Sequence, residues 1–122
     1  MSEKTVTISE SEYAVMRVLW EAGEPLTVSD VMKGLSGSEW TPSTVSTFLQ
    51  RLCAKGAAAF EKKGKANLYY PVLDRAAYGE EATASFLAKL YDGSAKNLVA
   101  ALCASNKLSK DDLDELRRTF DL

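Results

Sequence analysis

The chain has 122 residues, 46% of them hydrophobic and 26% charged, which fits one ordinary folded domain, or a small domain with an appendage, and excludes a disordered or fibrous protein. Fifteen basic against seventeen acidic side chains give a net charge of −2, a figure that alone speaks against a nucleic-acid partner but says nothing of where the charges sit. No histidine is present, and the two cysteines, Cys53 and Cys103, form no CxxC or CxC pair, so the usual general base and a cysteine-built metal cluster are both excluded.

The cysteine usage points to a reducing compartment. Both cysteines lie in apolar runs, FLQRLCAKG and LVAALCASN, and read as small buried hydrophobes; a redox-sensing thiol is the alternative. The amino terminus, MSEKTVTISESE, has no apolar signal-peptide core. No stretch approaches the roughly 18 apolar residues of a membrane span. A cytoplasmic protein without cofactor or metal is expected.

In chain order, Ser9 and Glu12 form a capping box, with Ile8 placed to staple onto Tyr13. Tyr13, Met16, Leu19 and Trp20 recur at helical spacing, and Gly23 with Pro25 stops a first helix of about residues 9–22. Thr27 and Asp30 open a second, short helix carrying Val28, Val31, Met32 and Leu35, broken by Ser36-Gly37-Ser38-Glu39. A third helix, about 42–55, starts with Thr41 as cap and Pro42 at its first position. Its apolar stripe is Val45, Phe48, Leu49, Leu52 and Cys53, and Lys55-Gly56 closes it. The opposite face carries Ser43, Thr47 and Gln50, flanked by Ser46 and Arg51, with no acidic residue.

After Gly56 the period changes. Residues 57–62 and 67–72 read as two strands joined by the turn Lys63-Gly64-Lys65-Ala66, with Pro71 at a strand end or edge. Lys62, Lys63 and Lys65 cluster at the tip. Asp74 opens a helix with Tyr78, Ala82, Phe86, Leu87 and Leu90. Ser94 caps another with Leu98, Val99, Leu102 and Cys103, and the capping box Ser109/Asp112 leads into Leu113, Leu116 and Phe120. Three short amphipathic helices make a thin unit, and pairing with a second copy would bury their apolar faces.

The expected fold is mainly α with a small β-hairpin: a winged helix-turn-helix domain over 1–73 and a helical dimerisation domain over 74–122. In that geometry the third helix enters the major groove and the lysines of a basic wing, about 58–71, meet phosphates. Charge is distributed accordingly. Residues 1–40 carry net −4, residues 41–73 net +4 (five basic, one acidic) and residues 74–122 net −2. The rival reading is a winged-helix module that docks on protein; it gives no reason for an acid-free third helix beside a lysine hairpin. Catalysis is not expected: the carboxylates sit mostly at helix starts, and Ser109-Lys110 and Ser2-Glu3-Lys4 are too close in sequence to build a dyad. No small-molecule substrate is evident.

The runs ISESEYAVMRVLWEAGEPLTVSDVMKGL, WTPSTVSTFLQRLCAKG, KGKANLYYPVLD and SFLAKLYDGSAKNLVAAL resemble the penicillinase and methicillin-resistance repressor family of winged-helix regulators, over nearly the whole chain. The resemblance implies a homodimer that binds a palindromic operator and represses β-lactamase, penicillin-binding-protein or copper-export genes. It places Thr41, Ser43, Thr44, Ser46, Thr47 and Arg51 on the DNA-reading helix, and Lys62, Lys63 and Lys65 on the wing. Gln50 and Lys55 complete the expected DNA-binding set. Phe86, Leu87, Leu90, Leu98, Val99, Leu113 and Leu116 fall on the dimer helices, with Leu102 beside them. A membrane sensor-protease is the implied upstream partner, but the Asn-Phe cleavage dipeptide of antibiotic-responsive members is matched here by Ala101-Leu102. The CxC…CxC cluster of the copper branch has no counterpart in this sequence.

Overall fold

A computed structural model describes residues 6–121. Residues 1–5, which include Ser2-Glu3-Lys4, and Leu122 lie outside the described residues. The order is α1 (Glu10–Ala22), α2 (Val28–Gly34), α3 (Pro42–Ala54), β1 (Ala58–Lys63), β2 (Ala66–Pro71), α4 (Arg75–Leu90), α5 (Ala95–Ala104) and α6 (Lys110–Phe120). The fold is mostly helical with one antiparallel hairpin, as expected.

Local chemistry fixes the helix ends. The capping boxes Ser9/Glu12, Thr27/Asp30 and Ser109/Asp112 are all formed, each satisfying two of the donors a helix start leaves unpaired. Hydrogen bonds from the caps hold the carboxyls of Asp30 and Asp112 below the usual range. Thr41 caps α3 and Pro42 stands at its first turn. Gly23 ends α1 at φ +72°, a conformation that suits glycine.

The chain divides into two compact units, residues 1–79 and 80–122. The first has a closed core: Val15, Met16 and Leu19 from α1, Val31 from α2, Val45, Leu49 and Leu52 from α3, and Ala57, Ala58 and Tyr69 from the hairpin. Residues 74–79 group with the residues that precede them. The cause is aromatic. Tyr78 packs on Tyr13 and Trp20, with ring centroids 6.2 and 6.4 Å away. Arg75 places its guanidinium 5.5 Å from the Trp20 ring centroid and 3.8 Å from Glu21.

The strands sit one residue from the expected spans. Ala57 is not in β1; it is fully buried, donates to the Leu52 carbonyl and accepts from Val72 and Leu73. Its contacts close α3 onto the base of the hairpin. The turn is tighter than expected: Lys63 pairs with Ala66, and only Gly64, at φ +65°, and Lys65 remain as loop. A third, one-residue strand joins the sheet, Leu26 exchanging hydrogen bonds of 2.8 and 2.7 Å with Tyr69.

In the second unit, α4 (from Glu80), α5 and α6 contain no buried residue. Among the described residues no helix is long and apolar enough to cross a membrane.

Candidate nucleic-acid interface

Helix α3 is amphipathic in the strict sense. Val45, Leu49 and Leu52 have no exposed surface, while Ser43, Thr47, Gln50 and Arg51, at i, i+4, i+7 and i+8, are exposed along one face. Thr44 and Ser46 are half-buried at its flank. Hydrogen bonds link the polar groups to one another. Thr47 Oγ1 donates to the Ser43 carbonyl at 3.1 Å, and Gln50 Nε2 donates to Ser46 Oγ at 3.3 Å. Thr41 Oγ1 accepts from the Thr44 amide at 3.2 Å and lies 3.1 Å from its hydroxyl, so the cap fixes both threonines. These hydroxyl and amide groups lie on or beside the exposed face, and groups of this kind can hydrogen-bond base edges.

The wing lysines Lys62, Lys63 and Lys65 are exposed, as is Arg51, and none of the four has an ion-pair partner among the described residues. Strand alternation puts Lys62 on the face of Phe60 and Tyr69, and Lys63 on the opposite face with Glu61. The lysines therefore surround the tip rather than line one side. At about 3.3 Å per residue the tip stands some five to six residues out from Ala57, so helix and wing offer two separated contact points.

Lys55, expected among the DNA-binding residues, is held at the close of α3. Its ammonium donates to Glu12 Oε1 at 2.5 Å and to the Thr7 carbonyl at 2.7 Å. Glu12 is 3% exposed, and its carboxylate also accepts from the Ser9 amide. Burial raises its pKa, but the Lys55 and Ser9 hydrogen bonds outweigh that and hold the carboxyl below its ordinary value. Lys55 thus anchors the end of α3 to the start of α1. Sequence pattern could not supply this pairing across 43 residues. It equally gave no sign that Trp20 Nε1 donates to the Leu73 carbonyl at 2.9 Å and ties the end of the hairpin to α1.

Both cysteines are free and half-buried. Burial pushes the Cys53 thiol up, which keeps it protonated and favours its reading as a packing residue. No cluster of three or more metal-ligating side chains occurs among the described residues.

Comparison with known proteins gives this geometry a context. The chain is 35% identical over 115 residues to the penicillinase repressor of Bacillus licheniformis, covering 93% of this chain and 89% of that protein. It is 28% identical over 117 residues to the methicillin resistance regulatory protein MecI of Staphylococcus aureus (strain N315), covering 96% and 95%. Among solved structures, the DNA-binding domain of the repressor BlaI matches with TM-score 0.54 and 37% identity, covering 63% of this chain and 94% of that one. The monomeric form of Bacillus licheniformis BlaI in complex with the blaP half-operator matches with TM-score 0.52 at the same identity and coverage. The family model described as penicillinase repressor matches residues 8–121. These are DNA-binding transcriptional repressors rather than enzymes, regulators of antibiotic resistance among them, and the chain belongs to the penicillinase repressor family.

Proposed function

We propose that the protein is a cytoplasmic homodimeric transcriptional repressor that binds a pseudo-palindromic duplex operator, one winged unit per half-site. The observation that carries this reading is the acid-free exposed face of α3, Ser43, Thr47, Gln50 and Arg51, next in sequence to a wing whose three lysines have no ionic partner among the described residues. Hydroxyl and amide groups suit base edges in the major groove, and unpaired lysines suit phosphates. A relative sharing 37% identity is solved on a half-operator.

Dimerisation through α4–α6 is supported by apolar exposure. Phe86, Leu90, Val99 and Leu116 are 39 to 65% exposed, and Leu87, Leu98, Leu102 and Leu113 are only half-buried. A second copy of the same surface would remove this area from water. Ala101-Leu102 lies inside α5 with both residues half-buried, so a sensor-protease cutting there must first unwind that helix.

The test is salt-dependent binding of the full chain to a duplex of its own promoter region. With four free cations on each of two protomers, affinity should fall on the order of a thousandfold or more between 50 and 200 mM salt. Affinity unchanged over that range would refute the phosphate-contact reading.

A further inference from the structure

Apart from its DNA-facing surface, the winged unit holds a cavity of about 500 Å³ between the C-terminal end of α1, the loop after it and the hairpin. Trp20, Pro25, Tyr70 and Pro71 supply apolar and aromatic walls, and Glu24 and Glu61 supply the charge. No basic residue lines it. Neither carboxylate has an ion-pair partner among the described residues. The size falls within the range of small-molecule sites. Two carboxylates beside an indole and a phenol select for a cation, since the ring faces and the acid groups both attract positive charge. The chain already displays the chemistry next door: the Arg75 guanidinium lies 5.5 Å from the Trp20 ring centroid and 3.8 Å from the Glu21 carboxylate.

We propose that this cavity binds an organic monocation with an aromatic or apolar body, and that its occupancy weakens DNA binding. The second half rests on the repressor reading above. The coupling is geometric. Glu61 and Tyr70 belong to the hairpin strands, and Glu61 precedes the wing lysines directly in β1. The hairpin is held to the rest of the unit by the Leu26–Tyr69 bridge and the Trp20–Leu73 hydrogen bond, both adjacent to the cavity lining. A ligand seated between the loop after α1 and the hairpin bears on the elements that set the wing's position.

The experiment uses the full chain labelled with ¹⁵N and benzyltrimethylammonium chloride as probe, with phenylacetate as its anionic counterpart. The Trp20 indole and the Glu61 and Tyr70 amides should shift saturably below about 5 mM cation, with the Trp40 indole unmoved and phenylacetate without saturable effect. Glu24→Gln with Glu61→Gln should raise the dissociation constant of the cation about tenfold, the loss of two charge contacts. At ionic strength matched with sodium chloride, the cation should raise the apparent dissociation constant for the promoter duplex about fivefold or more. In the Glu24→Gln variant it should do so less. Absence of saturable shifts in protein that still binds the duplex overturns the site and leaves the repressor reading standing. Saturable shifts with unaltered duplex affinity overturn the coupling. Failure to bind the duplex without cation overturns the repressor reading, while the shifts still decide the site.

Discussion

Lys55 Nζ lies 2.5 Å from Glu12 Oε1, and this contact joins the last residue capping α3 to the third residue of α1. The helix proposed to read DNA is thereby fixed at both ends, by Thr41 at its start and by Glu12 at its close. Exact placement of a reading helix matters because base-edge hydrogen bonds tolerate little displacement.

That contact makes an acid-sensitivity prediction. The Glu12 carboxyl is held below its ordinary value in the folded protein. Its stabilising contribution is therefore complete above the unfolded value and is lost as pH falls through the folded one. Asp30 and Asp112 act in the same direction. Glu12→Gln should cost about 1–2 kcal/mol at neutral pH, a figure reduced for the partly exposed Lys55 partner. Urea unfolding from pH 7 down to pH 3 should show the variant losing less on acidification than the parent. Parallel acid limbs would remove Glu12 as the source.

Gly34 gives a packing prediction. A Cβ built there would stand 2.6 Å from Val18 Cγ1 and 3.1 Å from Cγ2. Val18 is β-branched and in a helix, so its rotamer cannot swing away cheaply. Gly34 is the last residue of α2, so Gly34→Ala gains less than the roughly 1 kcal/mol of an interior position, while it overpacks the α1–α2 contact by about 1–3 kcal/mol. Thermal denaturation should show a net loss, and the same change in a Val18→Ala background should stabilise instead. A gain in the parent background would mean that α2 moves aside freely.

Much of this architecture is legible in the sequence because it is written locally. Capping boxes at Ser9, Thr27 and Ser109, Pro42 after Thr41, and the apolar repeat from Val45 to Cys53 each act within a few residues. What was not legible acts at a distance. Leu26 is a one-residue strand with no alternation to reveal it, and its partner Tyr69 lies across two helices. Lys55 looks like a C-terminal dipole residue until Glu12 comes near. Arg75 and Tyr78 find Trp20, a contact that periodicity within α4 cannot announce.

Helix and wing should separate functionally. Lys63→Ala removes the proposed phosphate contact and should weaken binding to every sequence alike, lowering the salt slope by about one. Thr47→Ala removes a hydroxyl from the centre of the exposed α3 face and should change preference among bases by about 1–3 kcal/mol at one position. Competition binding against a library of half-site variants distinguishes the two. Equal effects of both substitutions on random DNA would take Thr47 out of the reading role.

Truncation tests the division of labour between the two units. A chain of residues 1–79 keeps the whole first core together with Arg75 and Tyr78, whereas residues 1–73 lose the cation over Trp20, the Glu21 ion pair and two ring contacts. The shorter form should be less stable by about 1–3 kcal/mol, the sum expected for one cation–π contact and two aromatic contacts at a partly exposed site. Both should sediment as monomers and bind a full operator far more weakly than the intact chain, since linking two half-site contacts in one dimer raises affinity without any new contact. A 1–79 form that sediments as a dimer and retains tight operator binding would refute the role assigned to Phe86, Leu90, Val99 and Leu116. Equal stability of the two truncated forms would instead show that the Trp20 cluster holds nothing in place.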